Sequence, residues 1–497
     1  MENPNIIVTS GGENWNFSIE GARFVTAKEY LTDPEFADLR RARVFNLCRH
    51  YRYQSMGYYV SLLAEARQHH VLPSIRTIQD FRSQTMVRSI TDDLDDLIQL
   101  SLQSVETTEF TLHIFFSQTM QSGCGKLARG LYNLFPAPLL RIQFVKAKKW
   151  LIQQVRPITV DAIGLQDIPF VQFCALNFFA QKRLRGDIMD TFAYDLAILV
   201  GSDDNSPPSD AEALRKFADA ARRRGFYPEF INREHIGRVQ EFDALLIRET
   251  TNVNHHTYRF ARRAHAEGLV VVDDPWSILR CSNKVYMAEL FRRMKIPTPP
   301  TFILSRKELK GELPGIPFPC ILKQPDSSFS RGVIKAQNEE EFRHILKVML
   351  ETTELAIVQS FVPSDFDWRI GILDRQPLFA CKYFMAKGHW QVYDWSKSSV
   401  TDDASGDHET VPVEDVPKHV LQIALRAANL IGDGFYGVDL KQFGDECVVI
   451  EVNDNPNVDS GVEDAILGDE LYLKVMDYFL KKIRSERNTP LPSSRRN

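Results

Sequence analysis

Alternating apolar and polar positions near the end of the chain predict a buried strand with one polar face. The segment 448–456 reads Val-Val-Ile-Glu-Val-Asn-Asp-Asn-Pro, and Glu451, Asn453 and Asn455 occupy every second position of it. Because successive side chains of a strand leave opposite faces, these three are expected to share one face. Carboxylate and amide oxygens are hard ligands of the kind that Mg²⁺ takes.

A second strand with an acidic residue precedes the first and predicts a hairpin. Residues 435–440 read Phe-Tyr-Gly-Val-Asp-Leu, and the turn-forming pair at 444–445 separates them from the later strand. In such a hairpin Asp439 and Glu451 can face each other and, with an amide, hold one or two metal ions. The alternative is a strand that ends in a polar, Asn/Pro-rich turn without a metal. The paired Asp439 favours the metal.

Strand and helix patterns predict an α/β unit between residues 194 and 248. An apolar strand at 194–201 is followed by an Ala/Arg-rich helix at 211–224 and a strand at 244–248. This order, with short connections, is typical of a small open sheet. The loop Arg248–Thr251 lies where such sheets usually bind a ligand, with a purely structural loop as the equal alternative.

The first third of the chain shows strand patterns but no catalytic constellation. Strands are predicted at 5–9, 43–47 and 111–116. The basic, aromatic segment Arg49–Tyr53 either grips a carboxylate or another protein, or forms a polar cap over the core. The helix after it is predicted to have one apolar face, made of Tyr59, Leu62, Leu63 and Ala66.

A strand that ends in a lysine and a loop rich in serine predict a phosphate-binding lid. Lys323 ends the strand at 319–324, and the loop Pro325–Val333 follows it. Small residues between two strands suit a mobile loop whose backbone amides fold over phosphates. The glycine spacing of a Walker loop is absent. Taken alone, Lys323 would more often be a surface lysine.

Two further cations are predicted beside the carboxylate pair. Alternation places Asp367 and Arg369 on one face of a strand, and the strand that contains Lys382 follows as the second half of a hairpin. Arg369 and Lys382 are therefore both expected to point into the cavity that holds the two carboxylates.

Composition and charge describe an ordinary protein of several domains. The 497 residues suggest about three domains, and 44% hydrophobic and 25% charged residues are typical of globular chains. A net charge of -5 gives no reason to expect nucleic-acid binding. The absence of a long apolar run and of a signal peptide predicts a cytoplasmic protein without a membrane segment. The seven scattered cysteines predict reduced thiols; Cys124, between glycines, is more consistent with a core thiol than with a nucleophile.

An ordered set of motifs resembles the ATP-grasp superfamily, in particular the RimK type and glutathione-synthase-like relatives. The motifs are Lys284, the Lys323 strand with its Ser327–Gly332 loop, Val358–Val362, Asp367–Ile370, Gly437–Asp439 and Glu451–Pro456. The resemblance covers about residues 190–483. Roughly the first 180 residues resemble the N-terminal domain that precedes some RimK-like ATP-grasp proteins.

The resemblance implies an α/β protein with an ATP-grasp fold, in which two α+β lobes clasp ATP. A small open-sheet α/β domain and an additional N-terminal α/β domain would precede these lobes. The domains expected are the RimK-like ATP-grasp N-terminal domain at 1–185, the pre-ATP-grasp domain at 190–280, the lid lobe at 281–362, the metal and catalytic lobe at 363–484, and a disordered tail at 485–497.

Residue roles follow from the same resemblance. The residues expected at the phosphates are Lys284 and Lys323 and, from the loop that closes over them, Ser327, Ser328, Arg331 and Gly332. Those expected around the adenine and ribose are Gln359, Ser360, Phe361, Val362 and Asp367. Those expected to bind Mg²⁺, or Mn²⁺ in its place, are Asp439, Glu451 and Asn453. Arg369 and Lys382 would face the acyl phosphate as the catalytic pair.

The activity implied is ATP- and Mg²⁺-dependent carboxylate–amine ligation through an acylphosphate, with release of ADP and phosphate. Amino acids or peptides are the expected substrates, with a protein tail as a further acceptor; we also expect a homo-oligomer. The alternative is a regulatory or scaffold protein that binds nucleotide without turnover. The intact set of metal ligands and lysines favours the enzyme. A further hypothesis is that the N-terminal domain recognises the acceptor and brings it to the ligase, through Arg49–Tyr53.

Three positions depart from the RimK pattern. Ser360 stands where an acidic residue is usual in the adenine hinge, and 382–384 read Lys-Tyr-Phe in place of paired arginines. The acceptor loop, 390–397, is rich in aromatic residues where the family has a basic, glycine-rich loop. Aromatic residues in place of arginines predict a substrate other than polyanionic glutamate on a ribosomal protein.

Overall fold

In a computed structural model, contacts divide the chain into two compact units, Met1–Ala193 with Glu234–Glu241 and Tyr194–Arg233 with Phe242–Asn497. The structure describes residues 5–11, 19, 21–39, 42–67, 69–81, 87, 91, 94–183, 192–201, 204, 206–309, 311, 313, 315–326, 332–386 and 407–488. Among these residues, none of the helices combines the length and the apolar composition that a bilayer crossing requires.

The described strands, in chain order, are β1 Asn5–Thr9, β2 Ala22–Thr26, β3 Arg43–Asn46, β4 His70–Leu72, β5 Glu109–Phe115, β6 Leu139–Lys146, β7 Trp150–Pro157, β8 Tyr194–Leu199, β9 Phe226–Ile231, β10 Ala244–Ile247, β11 Val270–Val272, β12 Thr301–Leu304, β13 Cys320–Lys323, β14 Val333–Ala336, β15 Ala356–Ser360, β16 Phe366–Leu373, β17 Gln376–Phe384, β18 His408–Val411, β19 Phe435–Phe443 and β20 Glu446–Asp454.

The described α-helices are α1 Ala27–Thr32, α2 Glu35–Asp38, α3 Met56–Ala66, α4 Ile75–Asp80, α5 Asp95–Ser101, α6 Gly125–Leu134, α7 Ile168–Arg183, α8 Ala211–Arg223, α9 His256–Ala266, α10 Pro275–Ser282, α11 Lys284–Met294, α12 Glu339–Thr352, α13 Lys418–Ile431 and α14 Asp469–Asn488.

The first unit contains a parallel and an antiparallel sheet. The parallel sheet has the order β2-β1-β3-β4, and the antiparallel sheet has the order β5-β6-β7. The strands predicted at 5–9, 43–47 and 111–116 are confirmed as β1, β3 and β5. All seven cysteines of the chain are buried and free, and burial raises the pKa of Cys124, as a core thiol requires.

The predicted apolar face of α3 was wrong. The helix buries Gly57, Val60, Ser61 and Ala64, whereas Tyr59 and Leu62 are each 37% exposed. The small residues face inward because the chain packs closely there: a Cβ at Gly57 would lie 2.4 Å from the carbonyl oxygen of His50. Close backbone approach therefore outweighed side-chain hydrophobicity in orienting this helix.

The segment Arg49–Tyr53 is largely bound within its own unit. Arg49 Nε lies 2.8 Å from the carboxylate of Asp161, and the Tyr51 hydroxyl donates to the carbonyl oxygen of Asn46. Tyr53 is 63% exposed. Arg49 and Tyr51 thus fit the polar cap, and Tyr53 is the residue of this segment whose aromatic side chain is open to a partner.

The second unit begins with the predicted open sheet. The strands β11-β10-β8-β9 are all parallel, and Asp210 caps α8 by accepting a hydrogen bond from the amide of Ala213. A core formed by this sheet, α8 and the last helix α14 contains Leu196, Phe217, Tyr472 and Phe479. The strand–helix–strand expectation for 194–248 is therefore confirmed.

Two antiparallel sheets complete the second unit. One has the order β12-β15-β13-β14 and packs on α12; the other has the order β18-β17-β16-β19-β20 and packs on α13. The hairpin predicted from 435 to 456 is confirmed as β19 and β20. The last helix continues to Asn488 and so includes the first four residues of the predicted tail, because Leu471, Met476 and Phe479 anchor it in the core. Residues 489–497 lie outside the described residues.

Candidate active site

A transverse row of charged side chains crosses three neighbouring strands of the five-stranded sheet. Arg369 on β16 pairs in register with Asp439 on β19, which in turn pairs with Glu451 on β20. The Arg369 guanidinium donates from Nε to Asp439 Oδ1 at 2.7 Å and from Nη2 to Oδ2 at 2.8 Å. Such a bidentate pair fixes both side chains in one orientation. The facing of Asp439 and Glu451 expected from the sequence is observed.

The neighbouring positions on the same face extend this polar surface. Asn453 donates from Nδ2 to Asp439 Oδ2 at 3.1 Å. On the other side of the row, Lys441 pairs with Asp367 in register, and its ammonium group contacts that carboxylate. Gly437 pairs in register with Asn453, and a Cβ at Gly437 would lie 2.9 Å from Pro456 Cβ. Glycine thus lets the chain after β20 fold over the sheet.

Two lysines from other elements approach Glu451. Asn283 caps α11 by accepting from the amide of Tyr286, which places Lys284 in the first turn with its Nζ 3.8 Å from Glu451 Oε2. Lys323, at the end of β13, is 8% exposed. Burial lowers the pKa of Lys323 to about 8; Glu451 opposes this shift, and Lys284 and Lys441 add to it. Lys323 is therefore a buried lysine rather than a surface one.

Burial and neighbouring charges also shift the pKa values of the two carboxylates, Glu451 and Asp439. Burial alone would raise the pKa of Glu451, but Lys284, Lys323 and Arg369 together lower it, so that Glu451 is ionised at neutral pH. Burial raises the pKa of Asp439, and the Arg369 fork opposes that shift. The two carboxylates of the row and the neighbouring amide side chain of Asn453 form a donor set of hard oxygens, which fits a divalent cation such as Mg²⁺.

These side chains line one cavity of the second unit, with a volume of about 240 Å³. Its other walls come from β13, from β15 and the residues after it, and from the loops after β10 and β20. Of the residues predicted for the site, those that line it are Lys284, Lys323, Gln359, Ser360, Phe361, Val362, Asp367, Arg369, Asp439, Glu451 and Asn453. Their roles are taken up as proposals below.

Lys382 does not join them. In the β16–β17 pairing it lies opposite Trp368, one residue out of phase with Arg369. Its ammonium group lies 5.4 Å from the Trp368 ring and 2.9 Å from Glu409 Oε2. The expectation that Lys382 points into the cavity is therefore wrong, because neighbouring positions of a strand face opposite sides. Tyr383 takes that place, with its ring 5.3 Å from the Arg369 guanidinium.

Asn455 also departs from the expected face. β20 ends at Asp454, and Asn455 has a positive φ of 48°. Its side chain accepts from Arg248 Nη1 at 2.8 Å and donates to the carbonyl oxygen of Glu249 at 2.7 Å. The alternation predicted for it fails because the strand has already ended.

Part of the predicted lid cannot be compared with the structure. Ser327, Ser328 and Arg331 lie outside the described residues, as does the aromatic acceptor loop at 390–397. Gly332, directly before β14, has a positive φ of 69°, and its carbonyl oxygen accepts from the amide of Gln324 at 3.2 Å. This contact closes the base of the predicted lid loop.

Arg248 is a site-forming residue whose role the sequence did not reveal. It is 1% exposed, and burial lowers its pKa to about 10. Besides Asn455, its guanidinium reaches Ser209 Oγ and the carbonyl oxygens of Pro208 and Pro456. Arg248 thus ties the end of β10 to the chain that leaves β20. The sequence does show a basic residue directly after a buried strand. Its partners could not be predicted, because they are about 40 and 207 residues away along the chain.

We predict that Arg248→Met lowers the free energy of unfolding by about 3 kcal/mol, because it leaves several buried acceptors without a donor. Calorimetry of the full chain measures this change. Arg215→Met is the matched control: Arg215 is on the exposed side of α8, with 67% of its side chain exposed, so its loss should change stability by less than about 0.5 kcal/mol. Equal free energies of unfolding for the two variants would contradict the structural role of Arg248.

Two family models match the chain. Residues 27–172 match the RimK-like ATPgrasp N-terminal domain, and residues 281–477 match the RimK-like ATP-grasp domain. Together the matches span more than half of the chain. The chain contains both domains of RimK-like ATP-grasp proteins. The transverse row and both lysines lie inside the second match, and the prediction of an ATP-grasp carboxylate–amine ligase is confirmed at the level of this family.

Similar curated proteins are ligases. The alpha-aminoadipate--LysW ligase LysX of Saccharolobus solfataricus is 27% identical over 197 residues, which cover 38% of this RimK-like chain and 67% of the relative. The probable alpha-L-glutamate ligase of Haemophilus influenzae is 24% identical over 244 residues, covering 48% and 77%. Among solved structures, a D-alanine--D-alanine ligase from Bacillus anthracis has a TM-score of 0.46 at 15% identity, covering 59% and 99%.

Proposed function

We propose that this ligase uses ATP and Mg²⁺ to activate a carboxylate and joins it to the amine of an amino acid, a peptide or a protein tail. The observation that supports this proposal most strongly is the transverse row Arg369–Asp439–Glu451, which shares its cavity with Lys284 and Lys323. Phosphoryl transfer to a carboxylate brings two anions together, so it needs cations placed around the transferred group.

Asp439, Glu451 and Asn453 would hold Mg²⁺, and Mn²⁺ would fit the same oxygen donors. A bound divalent cation would neutralise charge on the phosphates and keep the carboxyl group of Asp439 ionised despite its burial. Arg369 holds Asp439 in place from the other side at 2.7 and 2.8 Å. These residues therefore act as a preassembled set of ligands.

Lys284, Lys323 and the loop that contains Ser327, Ser328, Arg331 and Gly332 would bind the phosphates. The adenine would lie against Gln359–Val362 at the other end of the cavity. Ser360 Oγ is buried and has no hydrogen-bond partner among the described atoms, so this hydroxyl is available to the base in place of the acidic residue of related hinges. Asp367, expected near the ribose, is held by Lys441 and Ser364.

The reaction proceeds in two steps. A carboxylate oxygen attacks the γ-phosphorus, ADP leaves, and an acylphosphate forms beside Arg369. The amine then attacks the acyl carbon, loses a proton, and expels inorganic phosphate. A closed cavity is needed between the two steps because water competes with the amine for the acylphosphate.

The substrates are proposed from the relatives and from the lining of the cavity. The names of the two curated relatives are those of an alpha-aminoadipate--LysW ligase and an alpha-L-glutamate ligase. We propose an α-amino acid as one substrate of this chain. Beside Arg369 lies Tyr383, whose hydroxyl donates to Glu463. An aromatic ring and a carboxyl group at this place favour a substrate with less negative charge than a polyglutamate tail.

Release of ADP by the purified full chain, with ATP, Mg²⁺ and pools of amino acids and short peptides, tests the proposal. We expect turnover to require two organic substrates, and the product to have the mass of their sum less one water. ATP binding without turnover, with amino acids, peptides and cellular proteins all supplied, would instead support the regulatory alternative.

A further inference from the structure

Three metal-ligating side chains meet outside the proposed Mg²⁺ ligands. Glu249 follows β10, and His255 and His256 stand at the start of α9. One ligand atom of each residue lies within 4.8 Å of the other two. His256 Nε2 is 2.9 Å from Glu249 Oε2, and the two imidazole centroids are 3.9 Å apart.

The contacts around His255 leave one ring nitrogen suited to a metal. His255 Nδ1 lies 3.1 Å from Thr257 Oγ1, and that hydroxyl donates to the carbonyl oxygen of Thr250 at 3.4 Å. With the hydroxyl proton directed at Thr250, the Thr257 oxygen can accept from His255, and the hydrogen of the neutral ring would be on Nδ1. The lone pair is then on Nε2, the arrangement usual for metal-bound histidines whose other nitrogen is held by a neighbour.

The carboxylate is held close to the histidines by burial and by a glycine. Glu249 is 5% exposed. A Cβ at Gly201 would lie 2.5 Å from Glu249 Cδ, so a larger residue there would displace the carboxylate. A buried carboxylate is costly without a compensating cation. A bound divalent cation would compensate the carboxylate and also use both imidazoles.

We propose that Glu249, His255 and His256 bind one divalent transition-metal ion of the zinc class. Two imidazole nitrogens and one carboxylate oxygen suit Zn²⁺ and Co²⁺, whereas Mg²⁺ prefers an all-oxygen set. Three protein ligands leave a coordination position for water. This site differs in ligands and in preferred metal from the set Asp439, Glu451 and Asn453.

The ion has a consequence for the cavity. Glu249 and His255 bracket a short segment, and Thr250, Thr251 and Asn252 within it line the cavity. A metal that joins the two ends of this segment fixes that wall. The metal therefore positions the wall without taking part in the chemistry, and its removal should raise KM for an organic substrate more than it lowers kcat.

Titration of the purified full chain with Co²⁺ after chelator treatment tests the site, with visible absorption as the readout. We expect one Co²⁺ per chain with bands of imidazole–carboxylate coordination, displaced by Zn²⁺. Glu249→Gln and His256→Ala should each weaken Co²⁺ binding by at least about 100-fold. His265→Ala, at an exposed position of the same helix, and Glu451→Gln should leave Co²⁺ binding unchanged.

The unfolding transition of each variant, measured by circular dichroism, establishes that it is folded; His255→Ala replaces His256→Ala if the latter does not fold. Absence of these bands in the wild type, or equal Co²⁺ affinity in the wild type and the ligand variants, would overturn the proposal. Loss of Co²⁺ binding in Glu451→Gln would also overturn it, since the ion would then belong to the oxygen-rich set.

Discussion

Glu451→Gln is expected to reduce ADP formation with both organic substrates present by about 1,000-fold or more, because the substitution removes one of two carboxylates proposed to hold Mg²⁺. The carboxylate is the member of the row that both lysines approach, and its pKa is lowered by them. Glutamine keeps the size of the side chain but neither its charge nor its second acceptor oxygen. Steady-state ADP release at several Mg²⁺ concentrations measures the effect.

Glu446→Gln is the matched control for this variant. Glu446 starts the same strand and is exposed. The same chemical change at that position should leave turnover within about twofold of the wild type, as is usual for exposed positions without partners. Turnover of Glu451→Gln equal to that of Glu446→Gln would show that Glu451 does not bind the catalytic metal. Matching circular dichroism spectra establish that both variants are folded.

Lys323→Met is expected to lower kcat/KM for ATP by about 100- to 1,000-fold, since a buried cation in the phosphate region is lost without leaving a cavity. Lys347→Met, at an exposed position of α12, is the control and should behave as the wild type. Equal kcat/KM values for ATP in the two variants would show that Lys323 does not contact the phosphates.

The pH dependence of ATP binding gives an independent test of Lys323. Burial lowers the pKa of Lys323 to about 8, so the ammonium form is lost as the pH rises through that value. The dissociation constant of ATP, measured without turnover, should therefore increase above about pH 8 in the wild type. Lys323→Met should bind ATP weakly at every pH and lack this step.

The free energy of unfolding of the wild type and that of Lys323→Met should also depend differently on pH. Between about pH 8 and the ordinary lysine pKa of about 10.4, the unfolded chain binds a proton at Lys323 that the folded chain does not. The Lys323 contribution to the free energy of unfolding therefore increases with pH across this window. The contribution is absent from Lys323→Met, whose unfolding free energy should lack that increase.

Local patterns in the sequence were sufficient to predict that Asp439 and Glu451 face each other. The alternation of Glu451 and Asn453 and the turn at 444–445 describe one hairpin, in which short-range geometry decides which side chains face each other. Arg369 followed from the same reasoning on β16. Glu451 and Asn453 share a face because they are two residues apart, and Arg369 joins that face because it pairs in register with Asp439.

Lys382 shows where this reasoning fails. The face that a residue of the second strand takes depends on the length of the turn and on bulges, and a shift of one residue reverses it. The β16–β17 pairing has such an irregularity between Gly371 and Ile372. Alternation within β16 does not contain that information, so the sequence could not decide between Lys382 and Tyr383.

The partners of Arg248 and Lys441 could not be predicted for a different reason. Arg248 binds Asn455, 207 residues later, and Lys441 binds Asp367, 74 residues earlier. The first pair depends on how two sheets of the second unit pack together. The second depends on which strands are neighbours within one sheet. No local period of the sequence reports either arrangement. The motif order identified the family from sequence, whereas the electrostatic environment of each side chain required the fold.

The transfer of ¹⁸O from the carboxylate substrate to phosphate tests the acylphosphate account most directly. The full chain is supplied with ATP, Mg²⁺, the amine and the substrate labelled in its carboxylate, and the released phosphate is analysed by mass spectrometry. Because a carboxylate oxygen attacks the γ-phosphorus and leaves with it, the account predicts one ¹⁸O in each phosphate. Release of unlabelled phosphate during product formation would contradict it.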